Sequence, residues 1–164
     1  MKMKRIEINN TKSSNYLYYL ILTYLIVFMI LPTFILTNLE NSLVAVFLNN
    51  NLYILFLIYL VFVYIFIIGV YYCYFKVDLY IINISSSRFN NKNNLLDIKH
   101  DMLNNFFFKK SIFSWNTTLY LNFKKDQKKS LTRKFNFSLL TDSEENKISL
   151  MLNNIISNNK KWVN

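Results

Sequence analysis

The chain is poor in the residues on which many catalytic and metal-binding motifs depend. Its 164 residues include one glycine (Gly69), one proline (Pro32), one cysteine (Cys73) and one histidine (His100). A single glycine excludes the glycine-rich loops that bind phosphates or dinucleotides, and a single histidine excludes a His-Glu-x-x-His metal site. A single cysteine excludes an intramolecular disulfide and a zinc site with several cysteine ligands. We therefore expect no enzymatic activity, no cofactor and no metal site.

Charge is absent from two long apolar runs, Tyr16 to Leu36 and Leu52 to Phe75. About 20 apolar residues are needed to cross a bilayer, and both runs meet this length. The first run is not followed by the small residues of a signal-peptide cleavage site. The sequence thus predicts a two-helix transmembrane hairpin over residues 16–75, with spans at about 16–36 and 52–75. Spans without ionisable groups argue against a transporter or pump and favour an anchor.

The distribution of basic residues predicts the orientation. Residues 1–15 form a basic N-terminal tail, residues 37–51 between the runs contain no Lys or Arg, and Lys76 begins a second basic segment. Basic residues are enriched on the cytoplasmic side, so we expect an integral protein of the inner or plasma membrane with both termini in the cytoplasm. The short apolar stretch 43–48 is expected to rest in the outer interface.

Residues 76–164 are long enough for one small cytoplasmic domain. Alternating apolar residues predict an antiparallel hairpin from residues 115–123 and 131–138, joined by a turn at 124–129. Weaker strand patterns cover 76–86 and 95–103.

The end of this domain has a helical pattern instead. Thr141 and Glu144 form a capping box, and apolar residues then recur at helical spacing: Ile148, Met151, Leu152, Ile155 and Ile156. The fold class is therefore a transmembrane hairpin followed by a small α+β domain, an antiparallel sheet or barrel with one C-terminal helix.

The order of these segments carries a family resemblance. After the two apolar runs come YYCYFKVDLYIINISSSRF, LLDIKHDML, an aromatic loop, WNTTLYLNF and KFNFSLLTDSEENKISLMLNNII. This order resembles the small bacterial membrane proteins with a pleckstrin-homology-like domain, of the kind seen in Bacteroidota. The resemblance implies a strand-rich cytoplasmic domain that ends in a helix and has no known catalytic activity.

The predicted domain is basic, with fifteen Lys and Arg against seven Asp and Glu in residues 76–164. The densest cluster comprises Lys124, Lys125, Lys128, Lys129, Arg133 and Lys134. Lysines close to a membrane attract anionic lipid headgroups, so this cluster is a candidate contact with an anionic surface. The alternative is an ordinary solvated turn. Phe106–Phe108 are read either as a loop that enters the membrane interface or as part of the domain core.

Three functions remain compatible with the sequence. The first is a membrane-anchored, non-catalytic interaction module whose cytoplasmic domain binds a lipid surface or an unidentified protein partner. The second is a small structural subunit of a larger membrane complex, of the kind that an organelle genome encodes. The third, which ranks last, is membrane-tethered binding of nucleic acid by basic and aromatic side chains.

Overall fold

The computed structural model describes residues 6–38, 43–88, 95–111, 115–126 and 129–161. The chain forms two compact units. One unit consists of Asn15–Gly69, and the other combines Met1–Ser14 with Val70–Asn164.

We call Asn15–Gly69 the apolar unit, and its first part belongs to one long helix that begins at Thr11. Helix α1 (Thr11–Leu25) continues through a π-helical turn (Ile26–Ile30) into α2 (Leu31–Asn38). Pro32 has no backbone N–H, so a carbonyl in the preceding turn loses its usual partner and the helix widens there. The Thr33 hydroxyl donates a hydrogen bond of 2.8 Å to the Met29 carbonyl in this region. Together these segments give a helix of 28 residues that is long and apolar enough to cross a membrane.

The second apolar run is divided. Helix α3 (Leu43–Asn50) is followed by α4 (Leu52–Ile68), and the two are bent by 75° at their junction. Only together are these two helices long and apolar enough to cross a membrane, so the described residues contain one clear span candidate, whereas the sequence predicted two. Helix α4 also ends earlier than the predicted boundary at Phe75. Gly69 adopts a φ of 69°, which stops the helix at little steric cost, and a strand follows it.

The second unit, which we call the strand-rich unit, contains two antiparallel sheets and a C-terminal helix. The first sheet has the order β1 (Ile6–Asn9), β2 (Tyr72–Val77), β3 (Ile81–Ser87) and β4 (Leu96–Lys99). The second has the order β5 (Leu103–Lys110), β6 (Asn116–Asp126) and β7 (Lys129–Ser138). Helix α5 (Asp142–Lys161) follows β7. The single strand predicted over residues 76–86 is wrong, because this segment contributes to two strands separated by a turn. The aromatic run 106–108 lies within β5.

Strand β1 comes from the segment that the sequence assigned to a basic tail. Ile6 pairs with Val77 and Asn9 pairs with Tyr74, so the first sheet is made from chain on both sides of the apolar helices. The sequence predicted that the domain begins at residue 76. The structure instead groups residues 70–75 and the N-terminal strand with it.

The predicted hairpin and C-terminal helix are both confirmed, but the predicted turn at 124–129 is too long, because β6 continues to Asp126 and β7 begins at Lys129. Leu119, Leu121 and Phe137 point into the core between the sheets and α5, which contributes Ile148 and Leu152. The capping box forms as predicted: the Glu144 N–H donates to the Thr141 hydroxyl, and the Thr141 N–H donates to the Glu144 carboxylate at 3.0 Å. Near its other end, α5 is held by the Asn159 amide, which donates to the carbonyls of His100 and Leu103.

Candidate functional site

The two points at which the chain leaves the strand-rich unit lie side by side. At this end, the buried Asn10 side chain donates to the carbonyls of Tyr71 and Ser138, each at 3.0 Å, and accepts from the Cys73 N–H at 2.6 Å. The Ser14 hydroxyl also donates to the Tyr71 carbonyl at 3.0 Å. These bonds tie the segment before the apolar helices to the segment after them and to the end of β7.

The predicted basic cluster lies at the opposite end of the β6–β7 hairpin. Strand β7 is 10 residues long, so its two ends are roughly 30 Å apart at about 3.3 Å per residue. Ser138, at one end, belongs to the polar contacts around Asn10, whereas Lys129 begins the strand at the other end. The turn is therefore about one strand length from the points at which the chain leaves this unit.

The structure describes the six predicted basic residues to different extents. Lys124, Arg133 and Lys134 are exposed. Lys128 lies outside the described residues, and for Lys125 and Lys129 only the backbone in β6 and β7 is described.

The sheet separates the described members of the cluster. Lys124 and Lys134 occupy the outer face of the second sheet, because they alternate with core residues such as Phe123 and Phe135. Arg133 pairs with Leu121 and so projects to the same side of the sheet as the core residues. The side chains of Arg133 and Lys134 therefore project from opposite faces of the sheet.

The outer face of the second sheet carries a row of three side chains that we name the ladder, formed by Phe107, Tyr120 and Lys134. The strand register places these residues opposite one another on β5, β6 and β7. The Phe107 and Tyr120 rings stack with centroids 4.4 Å apart and an interplanar angle of 9°. Lys134 Nζ lies 5.5 Å from the centroid of the Tyr120 ring, within the range of a cation–π interaction.

The sequence alone did not identify the ladder. Alternation placed Tyr120 and Lys134 on the polar faces of their strands, but the register that aligns them cannot be read from either strand alone. Phe107 was considered only as part of an aromatic run. A partial signal was its position between Phe106 and Phe108, since alternation in a strand requires the middle residue to face away from the other two.

Another basic side chain near the chain exits is engaged with acidic groups. Lys110 Nζ lies 2.7 Å from an Asp142 oxygen and 2.9 Å from a Glu145 oxygen. The hydrogen bonds to Asp142 and Glu145 raise the pKa of Lys110, and the same contact with Lys110 lowers the pKa of Asp142. This arrangement holds the first turn of α5 against the end of β5, where acidic residues also suit the helix N-terminus.

The two residues with the best-known catalytic chemistry, Cys73 and His100, lie outside the basic cluster and the ladder. Cys73 is 3 % exposed, and burial raises the pKa of its thiol, which disfavours the nucleophilic thiolate. Partial burial lowers the pKa of His100. Over the described part of the chain, no group of three or more His, Cys, Asp or Glu side chains is placed to hold a metal ion.

Comparisons with known proteins do not assign the chain to a family. No protein-family model matches it, no curated protein matches it, and no solved structure matches it.

Proposed function

We propose that this protein is a membrane-anchored, non-catalytic interaction module in which two spans hold a strand-rich cytoplasmic domain that binds an acidic protein partner. The observation that carries the proposal is the pairing of β1 with β2, because it joins both ends of the apolar unit to one sheet. A chain that crosses the membrane through the first long helix must therefore cross back before β2 begins.

Helix α4 is suited to that return crossing. Its 17 residues correspond to about 25 Å of helix, and the shortest transmembrane helices have about 17 residues. Helix α3, bent by 75° from α4, would then lie in the outer interface. The excess of basic residues outside the apolar unit supports a cytoplasmic position for the domain and for both termini.

The order of elements supports a pleckstrin-homology-like domain. The family resemblance implies a strand-rich domain that ends in a helix, and the strands β1–β7 of the described residues, with α5 after the last of them, agree with that expectation.

The charge and position of the β6–β7 turn favour a protein over the host membrane as the partner. Residues 76–164 contain eight more basic than acidic residues, and the densest basic cluster lies around this turn, mostly within β6 and β7. The turn is roughly 30 Å of strand away from the tethering points near Asn10 and Tyr71. The far end of this hairpin is accessible to a partner in the aqueous phase, whereas attraction to lipid headgroups requires the cluster to lie within a Debye length of the bilayer, about 8 to 10 Å at ordinary salt.

The test uses the full chain in nanodiscs of neutral phosphatidylcholine and two separate probes, poly-L-glutamate and anionic vesicles. Lys124→Gln combined with Lys129→Gln should weaken binding of poly-L-glutamate by at least roughly fivefold, since two positive charges are removed from the cluster. The matched control is Lys99→Gln with Lys147→Gln, which removes the same charge elsewhere on the domain and should leave binding unchanged.

Equal binding by both double variants would contradict a specific role for the turn. Vesicle binding that depends on Lys124 and Lys129, without binding of poly-L-glutamate, would replace the protein partner with a lipid surface.

A further inference from the structure

The ladder lies in a broader surface that is basic, polar and partly aromatic. Phe107 is 53 % exposed although it stacks on Tyr120, so one side of this aromatic pair remains open to solvent. Alternate residues of the three strands place Lys109, Lys124 and Lys134 on this outer face. Among the side chains described on this face, none is acidic.

From this arrangement we propose that the outer face of β5, β6 and β7 is the docking surface for an extended acidic segment of the protein partner. This inference rests on the proposed function and assigns the partner's contact to a specific surface. Carboxylates of the segment bind Lys109 and Lys134, and an apolar side chain between them contacts the exposed side of the Phe107 ring.

The spacing of the lysines defines the segment. Lys109 and Lys134 lie two strands and one two-residue step apart in the register. With strands about 4.8 Å apart and a step of about 6.6 Å, their backbones are separated by roughly 12 Å. In an extended peptide, residues at positions 1, 3 and 5 project to the same side, and positions 1 and 5 are about 13 Å apart. The surface therefore fits acidic, apolar and acidic residues at positions 1, 3 and 5.

The ladder is less suited to single-stranded nucleic acid. Binding of that kind depends on aromatic faces that are open to the bases. Phe107 covers one face of Tyr120, and Lys134 lies over the ring as well. The ring pair therefore offers a base little beyond the outer side of Phe107.

The test measures binding of a fluorescein-labelled peptide, Gly-Glu-Ser-Leu-Ser-Glu-Gly, to the full chain in neutral nanodiscs by anisotropy. Phe107→Ala combined with Lys134→Gln should weaken binding at least tenfold. The matched control is Leu150→Ala with Lys147→Gln on α5, where Leu150 is 66 % exposed, and it should bind within twofold of the parent. Both double variants remove one exposed apolar side chain and one charge.

A second peptide with Ser in place of its Leu separates direct contact from a general effect on the fold. This peptide should bind the parent more weakly than the first peptide, but Phe107→Ala alone should bind the two peptides equally. If replacing the peptide's Leu by Ser weakens binding equally in the parent and in Phe107→Ala, the proposed contact is wrong. It is also wrong if Phe107→Ala combined with Lys134→Gln binds the first peptide as tightly as the parent does.

The remaining outcomes distinguish this inference from the proposed function. If binding depends on Lys124 and Lys129 but not on the ladder, the acidic partner stands and this docking surface is wrong. If the parent binds neither the peptide nor poly-L-glutamate, the proposed function itself fails. If oligo-dT binding depends on the ladder and peptide binding does not, the surface binds nucleic acid.

Discussion

Replacing Asn10 with alanine tests the contacts that join the two halves of the strand-rich unit. Asn10 is 5 % exposed, and its side chain makes three hydrogen bonds to backbone groups of Tyr71, Cys73 and Ser138. Alanine removes all three bonds, whereas the backbone bonds between Asn10 and Cys73 and between Ser14 and Asn10 remain. At about 0.5 to 1.5 kcal/mol net per bond, the free energy of unfolding should fall by roughly 2 to 4 kcal/mol.

This loss is large for a small domain, whose total stability is about 5 to 15 kcal/mol. In a domain of this size it corresponds to a decrease in Tm of roughly 10 to 20 °C. The measurement is thermal and urea unfolding of the full chain in detergent micelles, followed by near-ultraviolet circular dichroism. Asn153→Ala, at an exposed position of α5, is the control and should keep the parent Tm. An Asn10→Ala variant that melts within 2 °C of the parent, a change of less than about 0.5 kcal/mol, would refute the reasoning.

Three further predictions concern stability in the same unit. Met151→Asp or Ile155→Asp places a charge in the core and should abolish the cooperative transition, while a retained near-ultraviolet spectrum would contradict the buried stripe of α5. Leu139 has a φ of 54° and is 38 % exposed, so Leu139→Gly should raise the free energy of unfolding by about 0.5 to 1 kcal/mol, and a lower urea midpoint would count against backbone strain there. Because Lys110 lowers the pKa of Asp142, this carboxylate stabilises the fold above its usual pKa of 3.8, and that contribution is lost as the pH falls through the lower folded value. Asp142→Asn should therefore flatten the loss of stability below about pH 4 in acid titrations, and parallel curves for parent and variant would exclude the contribution.

The elements that could be predicted from the sequence are those whose pattern is local. The β6–β7 hairpin follows from the alternation of residues such as Leu119 and Phe137, which pack into one core from consecutive strands. Helix α5 follows from its capping box and from an apolar stripe at helical spacing. In both cases, the residues that identify the element lie within about 25 positions of one another, so a short window contains the whole signal.

The elements that were missed depend on distant partners. Strand β1 has four residues, Ile6–Asn9, and becomes recognisable only by pairing with β2, about 65 positions later in the chain. The end of α4 was misplaced for a related reason. Tyr72–Val77 continues the apolar composition of the helix, and only burial against the domain core distinguishes it as a strand. The ladder likewise depends on the register of three strands.

The backbone at Leu139 could not be predicted from the sequence. With one glycine in the chain, turns that require positive φ must use other residues, for which asparagine and aspartate are the usual choices. Leucine occupies such a position at residue 139, between β7 and α5. The predicted end of the strand at residue 138 is correct, but a leucine gives no sign of the positive φ that follows it.

The central claim is that one domain is assembled from the chain before and after the apolar helices, and removal of those helices tests it directly. Ser14 and Tyr71 are within hydrogen-bond distance, so residues 15–69 can be replaced by a short Gly/Ser linker that joins residues 1–14 to residues 70–164. We expect this linked protein to be soluble and to unfold cooperatively, with dispersed amide signals in a heteronuclear NMR spectrum. Residues 70–164 alone should lack the cooperative transition, because they lose β1 and the contacts of Asn10. A fragment 70–164 that folds with the same Tm as the linked protein would contradict the account.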